Sequence, residues 1–376
     1  MFASTLVRTV LTPVALLRLG LGWGLFGTLL VLSPLLTGPL PAFVLWPVLL
    51  LIITVITVSA FGVVTEAEHL ARRLGDPYGT LVLTLSIVLI EVILISAVLL
   101  GPGEHPTIAR DSVMAVSMII LNLVAGTALV VGGLRHGGLR ANGAGVSAYV
   151  AMLVVLLATA FAFPALIGSG GTYTTAQAIP VIVLTLGLYV FFLVRQMGAQ
   201  RGDFQEVGAS AASETHSGIR EVIRRHRGEL IARTLLLIAT VTPIVLLSHD
   251  MATLLDDGLE RLGAPVALSG ILIAMIVFLP ETITAIRAAH AGELQRVSNL
   301  CHGALVSTVG LTIPVVLAIG MLTGRPIILA ESPAALVLLG VSMLLTIATF
   351  LGRRTGALQG AAHLMLFVMY ALTVFA

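Results

Sequence analysis

Lysine is absent from this 376-residue chain: all 20 of its basic residues are arginine. Without a lysine amine there is no Walker-type phosphate loop and no Schiff-base chemistry. Charged residues of both signs make up only 10% of the chain, and aromatics 5%. Cysteine is limited to Cys301, so an intrachain disulfide is impossible, and its position in an apolar run reads as a small core residue. Neither an HExxH zinc-protease pattern nor a GxSxG nucleophile elbow occurs, which argues against an intramembrane hydrolase. What remains is apolar. With 58% hydrophobic residues and a mean hydropathy of +1.09, the chain reads as an all-α polytopic membrane protein.

Apolar runs long enough to span a bilayer fall at 12–36, 43–71, 79–100, 108–133, 144–167, 175–197, 229–255, 265–289, 293–322, 327–350 and 356–376. They predict about eleven transmembrane helices. The first run holds Arg18 and has no small-residue cleavage site near Leu35, so it is kept as helix 1 rather than a signal peptide. Assigning loops alternately to the two sides puts 17 of the 20 arginines on the side of the N-terminus; Arg110, Arg261 and Arg325 fall on the other. The positive-inside rule then predicts a cytoplasmic N-terminus and an outside C-terminus. Trp23, Trp46 and Tyr78 lie near helix ends, where interfacial aromatics gather.

The chain is also duplicated. Arg73-Leu74-Gly75-Asp76-Pro77 is followed by an apolar helix with Glu91, and Arg261-Leu262-Gly263-Ala264-Pro265 by one with Glu281. Gly126 and Gly310 repeat at an offset of 184. The expected organisation is an N-terminal helix (1–40), a five-helix repeat (41–197), a cytoplasmic linker (198–228) and a second five-helix repeat (229–376). Five is odd, so the copies enter the membrane in opposite directions, as inverted repeats of alternating-access transporters do. The linker contains GASAASETHSG and the basic run IREVIRRHRGEL, which suits a flexible segment whose arginines enforce topology and meet anionic headgroups.

A carboxylate at bilayer depth is costly and is a functional candidate by default. Glu91 and Glu281, one per repeat, therefore predict a duplicated ion site. Pro280 precedes Glu281 and removes a backbone hydrogen bond, which can free a carbonyl within the membrane. Carboxylates and carbonyls are ligands for a hard cation, and a carboxylate out of water takes a proton more readily than one in water. One site holding either cation or protons is the simplest basis for exchange. A second polar layer comprises Glu66, Glu68 and His69 before Arg72 and Arg73, and His249 and Asp250 in the counterpart helix. Glu66 and His69 share a helix face, which suits either a proton relay or interfacial ion pairing with Arg72 or Arg73. Ser86, Asn122, Ser307 and Thr308 are candidate neutral ligands, although each alone also suits helix packing.

TEAEHLARRLGDPYGTLVLTLSIVLIEVIL, ARDSVMAVSMIILNLVAGTALVVGGLRH and PETITAIRAAHAGELQRVSNLCHGALVSTVGLTIP together resemble the ChaA-type sodium–calcium/proton antiporters of the cation/calcium exchanger superfamily, from about residue 60 onward. The resemblance implies an eleven-helix exchanger of the bacterial inner membrane that extrudes Ca²⁺, Na⁺ or K⁺ against protons. By the same resemblance, Glu91 and Glu281 end the two repeat motifs, Glu66 and Glu68 form the acidic motif of helix 2, and Asn122 is the repeat asparagine of helix 4. The superfamily's Gly-Asn-Ala-[Thr/Ala] before each glutamate is replaced here by Val88-Leu89-Ile90 and Phe278-Leu279-Pro280. With fewer neutral oxygens, monovalent cations stay open beside Ca²⁺. No cofactor and no nucleic-acid partner is expected; the partners are membrane lipids and the transported cations and protons, and the oligomeric state is left open. A cation channel with a glutamate-lined filter and an inverted-repeat transporter of a small metabolite are the alternatives.

Overall fold

The computed structural model describes residues 10–32, 40–74, 78–100, 106–207, 219–264 and 267–375. The 208–218 stretch of the linker and the turn residues Gly75, Asp76, Pro77 and Pro265 lie outside those ranges, as do the side chains of Arg72, Arg73 and Tyr78. Among the described residues no strand forms; two isolated β-bridges, Leu139 with Thr355 and Ser169 with Thr172, tie loops together.

The helices are α1 (Pro13–Leu32), α2 (Ala42–Leu74), α3 (Tyr78–Leu100), α4 (Ile108–His136), α5 (Gly143–Ile167), α6 (Thr175–Met197), α7 (Ile219–Arg261), α8 (Ala267–Ala291), α9 (Leu294–Thr323), α10 (Pro333–Phe350) and α11 (Ala357–Val374). Nine of them are long and apolar enough to cross a membrane among the described residues. The other two, α3 with 23 residues and α8 with 25, carry the two central glutamates. The caps follow from sequence. Asn142 accepts from the backbone N–H of Ala144 to start α5, and Ser332 accepts from that of Ala335 to start α10. Gly137 at φ 70° closes α4 in the left-handed conformation that glycine adopts without strain. Helix α7 begins at Ile219, so the basic run of the linker is helical, with a kink at His226.

The chain forms two compact units. One comprises residues 1–90 and 210–269, the other 91–209 and 270–376. In the first, α2 and α7 pack along their length and α1 lies against both. The contacts are close: a Cβ on Gly22 would fall 2.9 Å from the Pro243 ring, and the Trp23 indole donates to the Ala239 carbonyl at 3.0 Å. In the second, α4 packs on α11 and α6 on α9. The α4–α11 seam is glycine-built. A Cβ on Gly360 would lie 2.6 Å from the Gly126 carbonyl oxygen, and one on Gly133 would lie 2.2 Å from the Ala357 nitrogen. Such backbone approach is how membrane helices gain packing without a hydrophobic drive between them.

Helices α4, α5 and α9 each contain a π-turn, at Ile119–Val124, Ala158–Ala162 and Asn299–Gly303. Those in α4 and α9 lie in the helices that carry Gly126 and Gly310. Both hold polar residues, Asn122 in one and Asn299 and His302 in the other. A π-turn widens the helix locally and leaves carbonyls poorly matched, which is why such turns recur at functional sites.

Candidate functional site

Glu91 and Glu281 are both buried, at 5% and 4% exposure, and lie close enough for Glu91's charge to act on Glu281. The Thr308 hydroxyl of α9 donates to Glu91 Oε2 at 2.7 Å. Among the described residues, Glu91 Oε1 and Glu281 Oε1 have no hydrogen-bond partner. An unsatisfied buried oxygen costs about 1–3 kcal/mol, and more if charged. Thr312, one helical turn after Thr308 on the same face of α9, is fully buried and its Oγ1 is likewise unpartnered. Threonine at this position carried no signal in the sequence, because hydroxyls in membrane helices usually bond their own backbone.

The two glutamates are not equivalent. At the offset of 184 that relates Gly126 to Gly310, the sequence has Val124 where Thr308 stands, and valine has no hydroxyl. Two expected neutral ligands are committed elsewhere. The Asn122 amide nitrogen donates to Ser342 Oγ at 2.8 Å, and its oxygen meets His363 Nδ1 at 3.3 Å. Ser307 donates to the Gly303 carbonyl at 2.9 Å and accepts from the Tyr189 hydroxyl at 3.1 Å. Cys301 is buried within the α9 π-turn. Its neighbour His302 meets Ser298 Oγ through Nδ1 at 2.9 Å and stacks edge-on against Phe350.

The second polar layer lies in the other unit. The side chains of Arg72 and Arg73, the partners the sequence suggests for Glu66, lie outside the described residues; among those described, the Glu66 carboxylate accepts from Arg233 of α7 at 2.7 Å, and Arg233 also bonds Glu229 at 3.1 Å. Helix α7 packs on the same face of α2 that carries Glu66 and offers a guanidinium from within the bundle. His69 Nδ1 faces its own helix's Thr65 carbonyl at 2.7 Å. Glu68 and Asp250 are half-buried, His249 is exposed and Ser86 is buried. Among the described residues no cluster of three or more His, Cys, Asp or Glu side chains forms.

A further polar group lies at the start of α9. Glu206 accepts from the backbone N–H of Gln295 at 2.9 Å and of Arg296 at 3.2 Å. Gln295 and Asn299 continue inward, Asn299 donating to the Phe204 carbonyl at 2.8 Å. The 3₁₀ turn Arg201–Phe204 is thereby fastened to α9. Burial holds the Glu206 carboxyl above the usual range, with those backbone donors acting in the opposite sense.

A family model for the sodium/calcium exchanger protein matches residues 44–198 and 233–376, most of the chain. The chain belongs to the sodium/calcium exchanger protein family. It is 32% identical over 320 residues to the sodium-potassium/proton antiporter ChaA of Escherichia coli K12, covering 85% of this chain and 86% of that one. It is 24% identical over 267 residues to a Ca²⁺/H⁺ antiporter of Aphanothece halophytica, covering 68% and 70%. Among solved structures, the H⁺/Ca²⁺ exchanger CAX superposes with a TM-score of 0.69 at 14% identity, over 96% of this chain and 89% of that one. That likeness concerns the fold. The chain is a multi-pass membrane exchanger, a homologue of ChaA, in a family of cation/proton antiporters.

Proposed function

We propose that this exchanger moves Na⁺, K⁺ or Ca²⁺ against protons by alternating access, with Glu91 and Glu281 binding either cation or protons. The observation that carries the reading is the pair of buried carboxylates within electrostatic reach of each other, each with an oxygen that no donor satisfies. Thr308 fixes one Glu91 oxygen and leaves the other for the substrate, and Thr312 adds a neutral oxygen on the same face of α9. Two carboxylates and a hydroxyl suit an alkali cation, and the antiporter ChaA is named for sodium and potassium. Ca²⁺ is the second reading, because one Ca²⁺ neutralises two ionised carboxylates as two protons do.

In this reading all eleven helices cross the inner membrane of a bacterium, the N-terminus and the 198–228 linker lie in the cytoplasm, and helices 2–6 and 7–11 are inverted repeats. Glu66 acts as a structural ion-pair partner of Arg233 rather than a proton carrier, since its carboxylate is already engaged by a buried guanidinium at 2.7 Å. The test is counterflow in proteoliposomes with Na⁺, K⁺ and Ca²⁺ compared side by side, reading proton movement in the opposite direction. Cation flux without proton counterflow, at channel-like rates, would replace exchange with conduction.

A further inference from the structure

We propose that a basic crevice between the α4–α5 and α10–α11 loops binds the phosphate headgroup of an anionic phospholipid. The crevice has a volume of about 440 Å³ and is lined by Arg140, Arg353, Arg354 and His136 over the Gly137-Gly138 turn, with no carboxylate in its wall. No hydrogen bond or ion pair engages the side chains of Arg140, Arg353 or Arg354 among the described residues, whereas Arg110, Arg233, Arg261 and Arg296 all have carboxylate partners. Three uncompensated guanidiniums held together repel one another unless an anion joins them, and the planar fork of arginine fits a phosphate diester.

The crevice is built rather than incidental. Leu139 and Thr355 exchange backbone hydrogen bonds at 2.8 and 2.9 Å, which stitches the two loops side by side. The Arg354 stem lies over Gly138, 3.6 Å from where a Cβ would stand. The α4 and α11 backbones meet directly below, at Gly133 and Ala357. His136 is turned away to the His290 carbonyl at 3.0 Å, so it frames the wall without filling the space.

The surroundings identify the anion as a lipid. Within a turn of the crevice, Leu134 and Leu358 are 77% and 81% exposed, and Leu351 is also exposed. An acyl chain covers such side chains and a free anion does not. Both loops fall on the arginine-rich side of the sequence, where anionic headgroups attract basic residues by about 1 kcal/mol each.

Native mass spectrometry of delipidated protein in detergent tests the proposal, with phosphatidylglycerol, phosphatidylcholine or inorganic phosphate added in separate arms. Phosphatidylglycerol is expected to bind and phosphatidylcholine not to compete. Arg140→Gln/Arg353→Gln/Arg354→Gln should weaken that binding about a hundredfold, and each single substitution about fivefold. The charge-preserving Arg353→Lys/Arg354→Lys variant should stay within about tenfold of wild type, and Arg261→Gln, at an arginine already held by Asp257, should bind normally. If the triple variant does not run as a monodisperse species, the single variants decide. Unchanged binding in the variants, equal binding of phosphatidylcholine, or inorganic phosphate saturating the site in place of lipid would each overturn the proposal.

Discussion

At Glu91, one oxygen is held by Thr308 and the other is left unpartnered, and the two call for different substitutions. Glu91→Gln and Glu281→Gln keep the volume but remove the exchangeable charge, so each is expected to abolish cation-driven proton movement in vesicles while the protein still elutes as a folded species. Near wild-type exchange by either variant would refute the shared site. Thr308→Val leaves both carboxylates but removes a hydrogen bond to a charged group, worth about 1.5–3 kcal/mol. Apparent cation affinity should therefore drop roughly tenfold or more, read from initial rates against cation concentration, without loss of the maximum rate. The carboxylates were legible in the sequence because a charge inside an apolar run is rare and costly. Thr312 and the direction of the Asn122 amide were not, since the partners Ser342 and His363 come from helices more than 200 residues further along.

Among the elements, the glycine seam of α4 and α11 and the fastening of α9 respond to different tests. Gly133→Ala would drive a methyl into the backbone of Gly356 and Ala357. Overpacking against backbone that cannot yield costs about 3 kcal/mol, and a fall in the thermal midpoint in detergent should report it, whereas Gly340→Ala on α10, with nothing near its Cβ position, should be neutral. Glu206 gives a pH signature. Its carboxyl titrates above the ordinary 4.5 because of burial, so its contribution to stability is full below that value and is lost as pH rises through the folded-state value. Glu206→Gln should remove this slope, measured as thermal midpoint from pH 4.5 upward; an identical slope in the variant would assign it to another group. Helix positions were readable from hydropathy because span length is set by the bilayer. The π-turns were not, since they arise from packing between helices rather than from local propensity.

For the whole molecule, the proposed sharing of one pair of carboxylates by both substrates implies that cation and proton compete. Apparent cation affinity should fall as pH drops, and transport should rise with alkaline pH on the cytoplasmic side; an affinity constant from acid to alkaline pH would separate the two sites. An exchange of one Na⁺ or K⁺ for one proton, or one Ca²⁺ for two, moves no net charge, whereas each uncompensated charge would add about 2.3 kcal/mol per 100 mV. Flux in vesicles clamped at different potentials should therefore be nearly flat. The repeated Leu-Gly-x-Pro and glutamate positions are a feature of the sequence, but the grouping of helices into units was not legible there, because each unit draws on both halves of the chain. That grouping bears on biogenesis. Helix α4 is synthesised early, yet the partner that closes its glycine face is α11, whose residues follow those of α4 by more than 200 positions. Until α11 leaves the translocon, the glycine face of α4 lacks the backbone that covers it, and the second unit cannot finish assembling. Ribosome-stalled chains that stop before Ala357 should accordingly be degraded in the membrane, although every residue of the ion site has already been made.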